Sequence, residues 1–169
     1  NLAQEDIILC KTPHTAGIEN FTKLFASSKI IFLVRRGQDA SESWIRSWGG
    51  RYDWIMRKWS KGAERICKFH EDEKKLHNNR FIIVRYEELI VSGEETIKTI
   101  LDFCCLDRNL YDFKALANMD VYGSSTFNHG MLTWEPITKT ANFNPLARSE
   151  GWNLLTCWRF QWLAGKNSE

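Results

Sequence analysis

The sequence predicts an α/β protein in which a parallel sheet is flanked by helices. Three short apolar runs, rich in Ile and Val, lie at 7–10, 30–34 and 81–84. Unbroken runs of this kind are typical of strands that are buried on both faces. Segments with helical spacing of apolar residues separate the runs. A strand, a helix and a second strand in this order predict a βαβ unit with parallel strands and a right-handed crossover.

The first predicted strand covers 6–10, and Pro13 follows it within a turn because proline cannot continue a central strand. Apolar residues on one face then predict a helix over 15–25. This helix leads into the second strand at 30–34, which completes the first predicted βαβ unit.

After the second strand, Asp39 and Glu42 stand three residues apart, as in a capping box, so the next helix is expected to begin at Asp39. The consecutive glycines at 49–50 end it. The remaining predicted elements are, in chain order, a long helix over 52–70, a strand over 81–84, a helix over 96–103, a short helix with a loop in 107–118, a long loop over 121–145 and a closing helix over 152–163.

Composition indicates one globular domain over 1–169, with 43% hydrophobic residues and eight Trp. The net charge of +2 does not favour bulk electrostatic binding of nucleic acid. No apolar run has the length of a membrane span. The five cysteines lack zinc-site spacing, so reduced core thiols in a cytoplasmic protein are expected.

The stretch from Arg35 to Ser43 predicts an anion site. Arg35 stands at the carboxyl end of a strand, and Ser43 lies one turn into the next helix. Helical side chains lean toward the amino end, so the hydroxyl and the guanidinium are expected to face one space. Ligands bind beyond the carboxyl ends of strands in open α/β sheets, and a guanidinium beside helix N–H groups suits phosphate. Solvated surface arginines are the alternative interpretation.

Arg35, Asp39 and Ser43 together resemble the 3′-phosphate-binding segment of sulfotransferases, which use 3′-phosphoadenosine-5′-phosphosulfate as the donor. The resemblance implies that Arg35 and Ser43 bind the 3′-phosphate. Arg36 departs from the family pattern, which usually has Asp or Asn there. This extra cation either strengthens phosphate binding or points away from the site.

The segment Lys-Thr-Pro-His at 11–14 resembles the Lys-Thr-Pro or Lys-Asp-Pro segment of bacterial and tyrosylprotein sulfotransferases. It also resembles the Lys-Thr-His of the cytosolic enzymes, with His14 one residue out of register with their catalytic histidine. The resemblance implies that Lys11 lies by the transferring group and makes His14 a candidate catalytic base. In the tyrosylprotein branch a glutamate from earlier in the chain is the base. The alternative is an exposed lysine and histidine at a surface turn.

Two later segments extend the resemblance. The run Val-Arg-Tyr-Glu-Glu-Leu is similar to the family's Arg-Tyr-Glu-Asp-Leu, whose tyrosine touches the adenine, which implies that role for Tyr86. Ser124 and Ser125 resemble the Ser-Ser-Phe stretch that contacts the nucleotide. Lys139 and Arg148 are candidates for the basic residue that often meets the 3′-phosphate in bacterial members.

The family's glycine-rich 5′-phosphosulfate loop has no counterpart in the sequence. We therefore expect a carboxyl-terminal portion of a P-loop-NTPase-like, three-layer α/β/α fold that is incomplete at its amino terminus. The implied activity is transfer of a sulfuryl group to a hydroxyl or amine of a small-molecule, glycan or peptide acceptor. No metal is expected. The alternatives are a catalytically silent nucleotide-binding or interaction domain and a small-molecule kinase with Mg²⁺ and adenosine triphosphate, which the Arg–Ser pattern disfavours.

Overall fold

The computed structural model describes residues 7–12, 14–75, 79–117, 126–128, 131–133, 144 and 146–167. The helices in these ranges are α1 (Ile18–Leu24), α2 (Gly37–Trp48), α3 (Tyr52–Lys75), α4 (Tyr86–Val91), α5 (Gly93–Cys104), α6 (Phe113–Ala117) and α7 (Leu154–Ala164). The strands are β1 (Ile30–Val34), β2 (Phe81–Arg85), β3 (Thr126–Asn128) and β4 (Met131–Thr133), and 3₁₀ turns cover Arg108–Leu110 and Gly165–Asn167.

β1 and β2 form a parallel pair, with Ile30 opposite Phe81 and Val34 opposite Arg85. The connection between them runs through α2 and α3, as a parallel pair requires. β3 and β4 form a separate antiparallel pair. The chain is therefore a mixed α/β protein with a small parallel sheet and mostly helices in the described ranges, which confirms the coarse fold class.

α3 connects two apolar clusters, which explains its length. Toward its carboxyl end it buries Phe69 against Ile30 and Phe32 of β1. Toward its amino end it buries Met56 against Phe160 and other residues of α7. The same helix thus anchors both the sheet and the closing helix.

The predicted strand at 6–10 is wrong for its described part. Residues 7–10 are in neither strand nor helix, and Ile7, Ile8 and Leu9 are 75%, 63% and 89% exposed. An apolar run becomes a strand only where a neighbouring strand pairs with its backbone. In the described ranges β1 pairs with β2 instead, so the observed βαβ unit joins β1 to β2 through α2 and α3.

The predicted capping box is also wrong. α2 begins at Gly37, and its N-cap Arg36 makes no side-chain cap bond. Asp39 and Glu42 are instead buried, and tertiary contacts use both carboxylates. A cap is a local preference worth about 1 kcal/mol, which several buried hydrogen bonds outweigh.

Two helices and the cysteines also differ from the sequence-based predictions. α4 was not predicted, and α3 extends to Lys75 rather than ending at 70. All five cysteines are free, but none is buried: Cys10, Cys67 and Cys105 are exposed, which corrects the expectation of core thiols. No helix within the described ranges is long and apolar enough to cross a bilayer.

Candidate functional site

Arg35 and Tyr86 meet where β1 and β2 end. Each residue directly follows its strand, and the register sets Val34 beside Arg85. The Arg35 guanidinium carbon consequently lies 4.8 Å from the centroid of the Tyr86 ring. The Arg35 carbonyl accepts a 3.3 Å hydrogen bond from Trp59 Nε1, which attaches this turn to α3. Arg35, predicted to bind the 3′-phosphate, and Tyr86, predicted to touch the adenine, are therefore in direct contact.

The electrostatics of Arg35 indicate a second cation nearby. Burial lowers the pKa of Arg35; Tyr86 and Asp39 raise it, whereas the guanidinium of Arg148 lowers it further. The geometry agrees, because Arg36 Nη2, next in sequence to Arg35, donates a 2.8 Å hydrogen bond to the Leu146 carbonyl, two residues before Arg148. Arg148, a sequence candidate for the 3′-phosphate, is thus brought to the Arg35 side of the molecule.

Asp39 connects α2 to the segment that carries Arg148. Its Oδ2 accepts a 2.7 Å ion-paired hydrogen bond from Arg36 Nε. Its Oδ1 accepts two hydrogen bonds from Ser149, at 2.9 Å from the backbone nitrogen and 2.8 Å from the hydroxyl. Burial raises the pKa of Asp39, but the bonds from Arg36 and Ser149 outweigh it and leave that pKa below its usual value.

Glu42 makes the second connection. Its Oε2 accepts hydrogen bonds from Tyr52 at 2.6 Å and from the Trp152 indole at 2.7 Å. Its Oε1 accepts from Arg46 Nε at 2.7 Å, and Arg46 Nη2 also donates to the Arg148 carbonyl at 3.2 Å. One face of α2 is therefore covered by 146–152.

Ser43 belongs to that covered face. It follows Asp39 by four residues, which places the two side chains one above the other on a helix. Its side chain is half-buried, and its carbonyl accepts a 2.9 Å bond from the Ser47 hydroxyl. Ser43 is therefore on the side of α2 where Asp39 binds Ser149. Convergence of its hydroxyl and the Arg35 guanidinium on one phosphate stays a prediction.

Glu87 is a site neighbour that the sequence analysis missed. Its Oε1 accepts a 2.8 Å hydrogen bond from the backbone N–H of Arg36. That N–H, at the start of α2, is therefore engaged rather than open to a ligand. The sequence could have indicated Glu87 as a site neighbour, because it directly follows Tyr86 after the end of β2.

Gly37 is a second missed residue. A Cβ built on it would lie 2.5 Å from Phe160 and 2.8 Å from Trp59. Both rings are packed in the α3–α7 contact. The start of α2, and with it the Arg35 turn, can approach α3 and α7 this closely only because residue 37 has no side chain.

The remaining predicted site residues are Lys11, His14, Ser124, Ser125 and Lys139. Lys11 and His14 are exposed in a segment outside helices and strands, and the Thr12 hydroxyl lies 3.4 Å from the His14 backbone nitrogen. Ser124, Ser125 and Lys139 lie outside the described residues. Within the described ranges, no three His, Cys, Asp or Glu side chains are grouped as metal ligands would be.

A protein-family match includes both residues of the Arg35–Tyr86 contact. A model described as "Sulfotransferase family" matches residues 3–109. No curated protein and no solved structure was found to match the chain. The matched region contains Lys11, Arg35, Ser43 and Tyr86, and it covers more than half of the sequence. The chain belongs to the sulfotransferase family.

Proposed function

We propose that the protein transfers a sulfuryl group from 3′-phosphoadenosine-5′-phosphosulfate to a hydroxyl or amine acceptor. The observation that carries the proposal is the contact between Arg35 and Tyr86 at the joined ends of two parallel strands. The cation that would bind the 3′-phosphate lies against the aromatic ring that would contact the adenine. Family membership supplies the reaction class, sulfuryl transfer.

The 3′-phosphate end of the proposed site consists of Arg35, Ser43 and Arg148. A guanidinium binds phosphate through two parallel N–H bonds, and a serine hydroxyl adds one more. The hydrogen bonds from Arg36 to the Leu146 carbonyl and from Ser149 to Asp39 hold the segment that carries Arg148 near the end of β1, which supports a shared anionic occupant. Tyr86 offers a ring face or edge and a hydroxyl to the purine.

The transfer end of the proposed site consists of Lys11 and His14. In the reaction the bond from sulfur to the donor phosphate breaks, a bond from sulfur to the acceptor oxygen or nitrogen forms, and the acceptor proton leaves to a base. The Lys11 ammonium would stabilise charge on the leaving phosphate, and His14 would take the proton. Catalysis of this kind depends mainly on positioning and electrostatics. The fold proposed around both ends is a P-loop-like, three-layer arrangement.

A thermal-shift experiment with two nucleotides tests the proposal. Adenosine 3′,5′-bisphosphate, the donor's product form, is compared with adenosine triphosphate plus Mg²⁺. A ligand at a hundredfold excess over Kd raises the unfolding free energy by about 2.7 kcal/mol. We expect a clear rise in melting temperature with the bisphosphate and a smaller one with the triphosphate. Equal shifts, or no shift with either ligand, would contradict the proposed donor.

A further inference from the structure

Arg36, the residue that departs from the family pattern, joins three parts of the site. Its Nε donates to Asp39 Oδ2 at 2.7 Å. Its Nη2 donates to the Leu146 carbonyl at 2.8 Å, across to the late segment. Its backbone N–H donates to Glu87 after β2. Arg36 therefore holds the late segment instead of pointing to a phosphate beside Arg35.

The contacts on either side of Arg148 form a continuous set. Arg36 holds the Leu146 carbonyl, Asp39 holds the Ser149 amide and hydroxyl, and Arg46 holds the Arg148 carbonyl. We call these contacts the α2 latch. The backbone of residues 146–149 is fixed before, at and after Arg148, so the latch determines where the Arg148 side chain begins.

We propose that Arg36 is a positioning residue, which through the α2 latch holds Arg148 beside Arg35 so that two guanidiniums meet the nucleotide's 3′-phosphate. This inference rests on the proposed function. Arg36 would not touch the phosphate itself. Its contribution would be to remove the conformational freedom of the turn before the ligand arrives, so that less ordering entropy is lost on binding.

The chemistry of arginine suits this role. A guanidinium presents five donors in a rigid plane, so it can bind a carboxylate and a carbonyl together. Arg36 makes these two bonds although its side chain is 52% exposed. Lysine would have to reach both acceptors from a single nitrogen at the end of a flexible stem, without the fixed spacing of the guanidinium donors.

The test measures the preference for a 3′-phosphate, defined as the ratio of two dissociation constants. Calorimetry measures Kd for adenosine 3′,5′-bisphosphate and for adenosine 5′-monophosphate, which lacks that group. Arg148→Met should reduce the preference by about tenfold or more, the scale of a charged hydrogen bond. Arg36→Met should reduce it by about three- to tenfold, because Arg148 is retained but its turn must then be ordered when the ligand binds. A purely structural role would weaken both ligands alike and leave the ratio unchanged.

Arg159→Met is the matched control. Arg159 is 53% exposed and pairs with Asp53 at 2.7 Å, so it resembles Arg36 in exposure and ion-pair length. The control should retain the full preference. In the double variant Arg36→Met/Arg148→Met, the preference should be no lower than in Arg148→Met alone, because Arg36 acts through Arg148.

A ligand-free readout tests the latch itself. Trypsin cleaves after Arg148, and cleavage of a locally opened segment follows the population of the open form. Arg36→Met should accelerate cleavage at this bond at least about threefold, and Arg159→Met should not. If Arg36→Met does not fold, Arg36→Lys replaces it, with faster cleavage and a lower preference again expected.

The outcomes separate the two proposals. A wild-type protein that prefers the bisphosphate, with an unchanged preference and unchanged cleavage in the Arg36 variant, overturns the positioning role and leaves the proposed function intact. A wild-type protein without any preference for the bisphosphate overturns the proposed function, and the positioning role with it.

Discussion

The guanidinium of Arg35 lies over the ring of Tyr86, with 4.8 Å between Cζ and the ring centroid. The two residues come from different strand ends, and the parallel register of β1 and β2 brings them together. Such a cation–π contact fixes the guanidinium plane before a ligand binds. The contact therefore restricts where the Arg35 guanidinium lies relative to the end of β2.

Arg35→Ala should weaken binding of adenosine 3′,5′-bisphosphate by about 1.5–3 kcal/mol, since it removes a charged hydrogen-bond donor. Isothermal titration calorimetry measures this difference. Arg108→Ala is the control, because Arg108 pairs with Asp102 at the end of α5 and belongs to a different contact set. An affinity equal to that of the wild type in Arg35→Ala would remove this residue from the phosphate site.

Tyr86 is expected to act through its ring more than through its hydroxyl. Tyr86→Phe keeps the face on which Arg35 lies and should cost no more than one neutral hydrogen bond, about 0.5–1.5 kcal/mol of binding free energy. Tyr86→Leu also loses the aromatic ring that would contact the purine, and should cost about 0.5–1.5 kcal/mol more than Tyr86→Phe. Calorimetry with adenosine 5′-monophosphate isolates the base contact. Equal affinities for the Phe and Leu variants would refute the role of the ring.

Gly37→Ala should destabilise the protein by about 1–3 kcal/mol, because the added methyl group overpacks a core contact. The built Cβ lies 2.5 Å from Phe160, whose side chain is 1% exposed. Urea denaturation measures the change. Gly93 is the matched control: it also begins a helix, yet its Cβ would meet only Leu116 at 3.8 Å. Gly93→Ala should be neutral or slightly stabilising, and a similar loss in both variants would contradict the packing argument.

The strand at 30–34 and most helices could be predicted from the sequence because their signals are local. The run Ile30–Val34 matches β1, and the consecutive glycines end α2 as expected. The strand at 6–10 was wrong because an apolar run does not reveal which backbone will pair with it. The pairing partner of β1 is far away in sequence, and no local pattern identifies it.

In the candidate site too, residues in local motifs could be predicted, whereas contacts between distant segments could not. Arg35 and Tyr86 were predicted from motif resemblance, and the structure places them in contact. The partners of Asp39 could not be predicted, because Ser149 lies more than a hundred residues later and its contact depends on how the closing segment folds back. A capping-box pattern was the nearest local explanation, and buried tertiary hydrogen bonds replaced it.

Glu42→Gln should make the free energy of unfolding less dependent on pH. Burial raises the pKa of Glu42, but hydrogen bonds from Tyr52, Trp152 and Arg46 outweigh it, so that pKa is below its usual value in the folded protein. The pKa of a glutamate in an unfolded chain is about 4.3. The unfolded chain therefore binds more protons in the acid range, and stability from this group is complete above that value and decreases as pH falls through the folded pKa.

Chemical denaturation at pH 7 and pH 3.5 is the measurement. At pH 7 Glu42→Gln should lose about 1.5–3 kcal/mol of unfolding free energy, because the charge is removed and one accepting oxygen becomes an amide nitrogen that cannot accept. At pH 3.5 the loss should be smaller, since the unfolded wild-type chain then binds a proton at this carboxyl and the stability gained from the lowered folded pKa decreases. Glu64, exposed on α3, supplies the control, and Glu64→Gln should change the free energy at pH 7 by less than about 0.5 kcal/mol. A Glu42→Gln loss of the same size at both pH values would show that its charge does not stabilise the connection between α2 and the closing segment.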